Sequence, residues 1–469
     1  MPPTADTAVA SAGALPRHIR WFVASNALSG IFTMLTFSSS VFVLYLADLG
    51  LDKARIGFML ALFPFCGLVA PFISGWVSRF GLKATLLLFY GVRNFVMLFM
   101  LAAPWVLMRF GLHALFVYAG SVIFVFAMCR AVAETGFYPW SQEFVPDSVR
   151  GRVGGITNVV TGSVSALAML VASGVLKWGT GIGRYQILIA VACVFGVLSV
   201  AAMFPVPGGR PVPGASTRGL WNDMHGAVRD RRFIGFLLGV GFSVLMLSVY
   251  SFLPLFARER LLIPEDRVVL FDVANTVGVL LTGVYWGWAA DRYGGKPLTL
   301  SSLWVMSVLP LIWLTLPPGG SWTLPVGLAL ALLAGAANVG LGIGSFRWFL
   351  NGVVPVEERT AYTSIWYALV GLTGGASPFF AGWLLRALTG VEWNWGGFHV
   401  HGYTVLFVWA FAMGVLSVYF YHRVPGETVC RTRDYLWAVA FHDLPRAFER
   451  ATVFILRTAR PQRDGGTRA

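Results

Sequence analysis

The feature that most constrains this chain is a series of long apolar runs, each near the roughly 20 residues that an α-helix needs to cross a bilayer. Only 12% of its residues are charged, whereas an ordinary soluble domain carries about 25%. A soluble protein could not cover its surface with so few charges, but lipid is itself apolar. The runs predict an all-α polytopic membrane protein with twelve transmembrane helices. They cover 20–46, 55–78, 84–107, 113–138, 153–176, 185–205, 233–257, 268–290, 297–317, 322–350, 361–386 and 402–423.

A stretch rich in Pro, Gly and Arg separates the sixth run from the seventh and divides the chain into two pseudo-symmetric six-helix bundles. The tail mixes aromatic residues with Arg, which favours an amphipathic helix on the membrane surface, and a loosely ordered tail is the alternative. The predicted segments are an N-terminal cytoplasmic segment (1–19), the first bundle (20–205), a central cytoplasmic loop (206–232), the second bundle (233–425) and a basic cytoplasmic tail (426–469).

The net charge of +14 would raise the question of nucleic acid in a soluble protein. Here the basic residues lie mainly between the apolar runs and in the tail, where they set topology and contact anionic headgroups. Lys and Arg are concentrated on the side of the two termini when twelve spans are assumed. We therefore expect no nucleic-acid partner, and a multi-pass protein with both termini cytoplasmic. The short loops suggest a bacterial inner membrane.

Two short motifs occur once in each half, at matching places between the helices. Their spacing is nearly the same in both cases, so we infer that a six-helix unit is duplicated. After the second run the motif contains Gly75, Arg79, Gly81 and Lys83, and after the eighth it contains Gly287, Asp291, Arg292, Gly294 and Lys296. A Val-Pro motif after the fourth and tenth runs leads to Arg150 and Arg359.

These motifs resemble the major facilitator superfamily, whose signature is Gly-x-x-x-Asp-Arg-x-Gly-x-Lys/Arg between helices 2 and 3, often echoed between helices 8 and 9. The resemblance covers essentially residues 17–425. It implies a secondary transporter that moves a small solute by alternating access, with these loops acting in gating. The first copy departs at Ser78, where the family has an acid that helps latch the halves on the cytoplasmic side. The alternative is that the motif charges only snorkel to the headgroups.

Charged residues within the runs are candidates for function, because a charge in hydrocarbon costs roughly 3 kcal/mol on insertion scales. Arg130 and Glu134 are four residues apart and share a helix face. Either they line a central cavity, with Glu134 carrying a coupling proton, or they form a structural pair. Arg93 and Arg347 add positive charge, and the excess of Arg favours an anionic or zwitterionic solute. Asp272 is expected to be an exposed vestibule charge.

Polar and aromatic residues in the runs give weaker candidates for solute contact. Asn26 and Thr33 belong to a polar stripe on the first helix, which could line a water-filled path or allow close helix packing. The remaining candidates are Asn158, Asn338, Trp366 and Tyr367.

The sequence contains no phosphate-binding loop of the Gly-x-x-x-x-Gly-Lys-Ser/Thr type and no hydrolase motif. We therefore expect no enzymatic activity, no cofactor and no metal, with transport driven by a solute or ion gradient. The expected partners are a small-molecule solute, the lipid bilayer and protons as the coupling ion, and the expected state is a monomer. The altered Ser78 and the basic tail keep open a non-transporting relative that acts as a receptor or assembly factor. A third alternative is a membrane-embedded transferase, which would need a buried His or an acidic cluster at a membrane face. Neither is evident in the sequence.

Overall fold

The computed structural model describes residues 16–145, 149–178, 181–210, 226–355, 359–395 and 398–426. The tail predicted to form an amphipathic helix and most of the central loop lie outside these residues. In the first half the helices are α1 Arg17–Thr36, α2 Ser40–Asp48, α3 Lys53–Gly67, α4 Ala70–Phe80, α5 Leu82–Leu98, α6 Ala103–Phe144, α7 Arg150–Trp178 and α8 Gly183–Met203. In the second half they are α9 Arg231–Met246, α10 Ser248–Glu259, α11 Glu265–Val268, α12 Leu270–Tyr293, α13 Gly295–Leu314, α14 Thr323–Trp348, α15 Arg359–Ala387 and α16 Gly402–Arg423.

Ten stretches of helix within the described residues are long and apolar enough to cross a membrane. One of them, Leu82–Phe144, has 63 residues and holds two crossings, because Gly111 adopts φ 80° and reverses the chain direction there. The second predicted span is not among the ten, because a break after Gly67 divides it into α3 and α4. The structure is therefore that of an integral, multi-pass membrane protein, and its helices are consistent with the twelve predicted spans.

The first span is a discontinuous helix. The main-chain N–H groups of Phe37 and Ser38 both turn back to the carbonyl oxygen of Thr33, which ends α1. The Ser39 hydroxyl then accepts a hydrogen bond from the N–H of Val41 at 3.2 Å and caps the start of α2. The span therefore presents a helix N-terminus inside the bundle, where it can face a polar partner.

Two motif glycines make tight turns between helices. Gly81 has φ 106° between α4 and α5, and Gly294 has φ 85° between α12 and α13. A side chain is strained in this part of conformational space, whereas glycine adopts it freely. The same tight reversal therefore follows the second and the eighth spans.

The lysine of the first motif closes the end of the sixth span in its own half. The Nζ of Lys83 donates to the carbonyl oxygens of Phe204 and Val206, at 2.8 and 2.5 Å. The indole N–H of Trp140 donates to the carbonyl oxygen of Pro207 at 3.0 Å. These donors satisfy carbonyl groups that a helix end leaves without an internal partner.

The second half repeats this arrangement. The Nζ of Lys296 donates to the carbonyl oxygens of His422 and Val424, at 3.0 and 2.6 Å, and Trp348 donates to the carbonyl oxygen of Pro425 at 3.0 Å. A Val-Pro-Gly sequence thus ends the last span of each half, a third repeat that our motif comparison missed. Both lysines bind within their own half.

Two short strands are an addition to the all-α prediction. Trp393–Trp395 (β1) pairs antiparallel with Phe398–Val400 (β2), in register from Trp393 opposite Val400. Aromatic and β-branched residues favour extended backbone, which explains a hairpin in this loop before α16.

The two halves meet along α3 with α15 and along α7 with α12. We call the end of the bundle that holds Gly81 and Gly294 the terminal face, because the ends of the described chain, residues 16 and 426, lie there. The other end, which holds Asp48 and Glu265, is the opposite face. Near the opposite face α3 and α15 almost touch, since a Cβ on Gly57 would overlap the carbonyl oxygen of Pro378 and lie 3.0 Å from the Cα of Gly382.

Candidate functional site

Four charged side chains form a cluster that joins the halves at the opposite face. Arg258 Nη1 in the second half contacts Asp48 of the first half at 2.6 Å and Glu265 at 2.8 Å. Arg184 of the first half pairs with Glu265 and lies 3.5 Å from Asp48. The four side chains are only 16–25% exposed. Because water screens them little, removing one partner of these pairs costs more than it does in a surface ion pair.

Further contacts at the same face extend this closure. Lys53 Nζ lies 2.7 Å from Glu259, and Arg386 lies 3.6 Å from Asp52. Each pair links one half to the other. These ion pairs and the hydrogen bond from the Ser40 N–H to Asp272 all lie on the opposite-face side of the bundle. The structure is therefore closed at that face.

A cavity of about 290 Å³ lies between the broken first span and the second half. Its size is near the lower end of small-molecule sites, which span roughly 300–1,000 Å³. Its walls combine aromatic and aliphatic side chains with a few polar groups. Its lining includes Ser40, Tyr250, Asp272, Asn275, Trp313 and Asn338.

Asp272 is the charged residue of this cavity, and its expected place in an exposed vestibule is wrong. Its side chain lines the cavity, and Oδ2 accepts a hydrogen bond from the main-chain N–H of Ser40 at 2.9 Å. Ser40 is the first residue of α2, so the carboxylate sits at the N-terminus of that half-helix. The positive end of the helix dipole and the N–H both stabilise the negative charge. Sequence reasoning missed this because a contact between residues so far apart leaves no local pattern.

The predicted pair on the fourth span is present. Arg130 Nε donates to Glu134 Oε1 at 2.7 Å, and the side chains are 31% and 42% exposed. The Arg130 guanidinium also lies 5.1 Å from the ring centre of Phe37, in the break of the first span. The pair therefore lies beside the break of the first span, and neither of its residues lines the cavity.

Arg93 lies beside this pair and is 2% exposed. Its guanidinium sits 3.9 Å from the ring centre of Tyr90 and 5.1 Å from that of Phe32, and its charge interacts with those of Arg130 and Glu134. Aromatic faces attract a cation and reduce the cost of burying it. The first half thus holds two arginines and one acid within its spans.

Arg347 lies away from this group. It pairs with Asp291 of the second-half motif, close to the terminal face, and Asp291 is 78% exposed. The first half has Ser78 at the position of Asp291, and Pro139 precedes Trp140 where Arg347 precedes Trp348, so both charges of the pair are lacking together. The side chains of Ser78 and Arg359 lie outside the described residues.

The other candidates are spread over the bundle. Asn338 lines the cavity. Asn26 donates to the carbonyl oxygen of Phe22 in its own helix at 2.8 Å, and Thr33 is half-buried just before the break. Asn158 is exposed, as is Tyr367. Trp366 stacks on Phe349 with ring centres 5.5 Å apart, toward the terminal face.

No protein-family model matches the sequence, and no curated protein matches it significantly. Solved structures do match. A mutant of the nucleoside transporter NupG is 13% identical, with a TM-score of 0.67 over 87% of this chain and 100% of that one. The inward-open xylose transporter XylE from E. coli is 16% identical, with a TM-score of 0.64 over 89% of this chain and 99% of that one. The chain has the major facilitator fold.

A bacterial homologue of the lysosomal transporter Spinster, solved inward-facing and unoccupied, has the same fold, with 14% identity and a TM-score of 0.59 over 90% of this chain and 99% of that one. At such low identities the similarity concerns the path of the chain and not its side chains. The major facilitator fold agrees with the duplicated motifs, which were found independently of it.

Proposed function

We propose that this protein is a secondary transporter that moves a small solute across the membrane by alternating access. The observation that carries the proposal is the closure of two repeated halves at one face by ion pairs, around a partly polar cavity. Such pairs can form in one conformation and break in another, which alternating access requires. With cytoplasmic termini, as we also propose, the closed face is external and the structure is an inward-facing state.

The charges of the first half support the finer part of the proposal. Arg93 and Arg130 outnumber Glu134 within its spans, which favours a solute with an anionic group. Glu134 is the candidate proton carrier, because protonation would release Arg130 from their 2.7 Å contact. Arg130 would then be free to bind the solute. The alternative is a pair that only orients the fourth span.

The experiment begins with the purified protein and a library of anions, amino acids, sugars and amphipathic drugs, monitored by thermal stability. A ligand that binds the folded state raises the apparent stability by mass action. Any ligand found is then offered to proteoliposomes, and its uptake is measured with and without an imposed proton gradient.

Transport of the ligand supports the proposal, and binding without transport supports a non-transporting receptor. For the finer assignment we predict that Arg130→Ala abolishes binding of an anionic solute. Glu134→Gln should keep binding and lose the response to the proton gradient. If both variants transport normally, the pair is structural, and the solute site is elsewhere.

A further inference from the structure

We infer that the cavity around Asp272 is a binding site for the ammonium group of a small organic amine or zwitterion. The inference deepens the proposed function and rests on it only for transport of the ligand, because binding can be measured without flux. The cavity is lined by Ser40 of the first half and otherwise by residues of the second half, and the Arg130–Glu134 pair is not part of its lining.

The negative charge of the Asp272 carboxylate has no full counter-charge within the described residues. A carboxylate removed from water needs compensation, and a cation supplies the strongest. Among the described residues, no Arg, Lys or His forms an ion pair with Asp272. The Ser40 N–H donates to Oδ2, and neither this contact nor the Ser40 side chain supplies a full positive charge. A ligand ammonium would complete the neutralisation.

Aromatic side chains form part of the cavity wall. Tyr250, Phe271 and Trp313 all line it. Aromatic faces attract an ammonium, and the attraction grows where water is excluded. A neutral polyol lacks the charge that these faces attract. The combination of one carboxylate with several aromatic rings therefore selects a cation that carries some apolar surface.

A second polar group of the cavity, the indole N–H of Trp313, also lacks a partner among the described residues. Trp313 is 1% exposed, and its indole Nε1 has no hydrogen-bond partner within the described part of the chain. A buried N–H without an acceptor costs free energy, so a ligand that brings an acceptor would be favoured. A zwitterion has both the ammonium for Asp272 and a carboxylate for such a donor, whereas a simple amine has only the first.

Asp272 also connects the ligand to the conformation. The carboxylate that would bind the ammonium already binds the first amide of α2, which belongs to the other half of the protein. A ligand at this site therefore contacts one of the hydrogen bonds that join the halves. This is the kind of differential contact that a ligand needs to shift a conformational equilibrium.

The test uses the full-length purified protein and calorimetric binding of defined probes. The probes are choline, isobutylamine and phenethylamine, each paired with a neutral alcohol of the same shape, together with glycine betaine and phenylalanine as zwitterions. We expect at least one ammonium compound to bind, and its neutral counterpart to bind about tenfold or more weakly, because the attraction between the cation and the carboxylate is lost. For the primary amines a charge-assisted hydrogen bond is lost as well.

The variant Asp272→Asn should weaken ammonium binding to a similar degree. Asparagine can still accept the Ser40 N–H, so the fold is retained, and an unchanged melting temperature checks this. Asp266→Asn is the matched control, because it removes the same charge from α11, just before the eighth span and outside the cavity lining. It should leave binding unchanged.

Selective binding of simple amines identifies an organic amine as the ligand. Preference for the zwitterions identifies a second, anionic contact. The inference is overturned if no ammonium compound binds, if neutral counterparts bind equally well, or if Asp272→Asn binds like the native protein. Ammonium binding without uptake in proteoliposomes would refute transport and leave this site intact.

Discussion

Replacing Arg258 with glutamine should loosen the closed opposite face. Arg258 holds Asp48 and Glu265 at 2.6 and 2.8 Å, and the three side chains are 16–25% exposed. Removing one partner of a fully buried pair costs about 3–5 kcal/mol. Here the loss is smaller, because water reaches the site and Arg184 still contacts both carboxylates. We expect a shift of about 1–2 kcal/mol toward the open face, or roughly 5- to 30-fold in population.

The assay measures how often the opposite face opens. In a background with the four native cysteines replaced by serine, Asn338→Cys places a thiol in the cavity. The protein is reconstituted in one orientation, and a membrane-impermeant thiol reagent is added on the side of the opposite face. Because the thiol is reached through the open state, its labelling rate follows the open population. Arg258→Gln should raise the rate by the same factor.

Arg260→Gln is the matched control. It removes an arginine two residues away at the same face, but Arg260 pairs with Glu392 within its own half, at 3.0 Å. Its labelling rate should equal that of the parent protein. If Arg258→Gln leaves the rate unchanged, or if Arg260→Gln raises it as much, the ion-pair cluster does not hold the halves together.

Two further changes test the packing. Gly57→Ala should raise the labelling rate of the same thiol, because the new Cβ would overlap α15 at a cost of about 1–3 kcal/mol. Gly67→Ala is the control: a Cβ there would meet no atom within 4 Å, so the rate should not change. Equal rates for the two variants would contradict the close approach of α3 and α15. Lys296→Met should lower the melting temperature by several degrees, because it removes two hydrogen bonds from a charged donor. Lys177 lies at an exposed helix end, so Lys177→Met should leave the melting temperature unchanged. An equal fall in melting temperature in both variants would show that the hydrogen bonds from Lys296 to the end of α16 do not stabilise the protein.

The sequence by itself determined the class of the protein. Backbone polar groups in lipid must pair within a helix, so twelve apolar runs left a helical bundle as the solution. The duplication was also visible, because motifs such as Gly81 and Gly294 repeat short-range requirements of a turn. The Arg130–Glu134 pair could be predicted for the same reason, since a spacing of four places two side chains on one helix face.

The tertiary structure alone decided where the remaining polar groups act. Arg347 and Arg93 look equivalent in the sequence, yet one pairs with the exposed Asp291 and the other is buried among aromatic rings. Asp272 looks like a charge near a helix end, and only the packing of the halves brings it to Ser40. Periodicity records which face of a helix is polar, but the partner across a gap depends on how helices pack, and one sequence does not encode that locally.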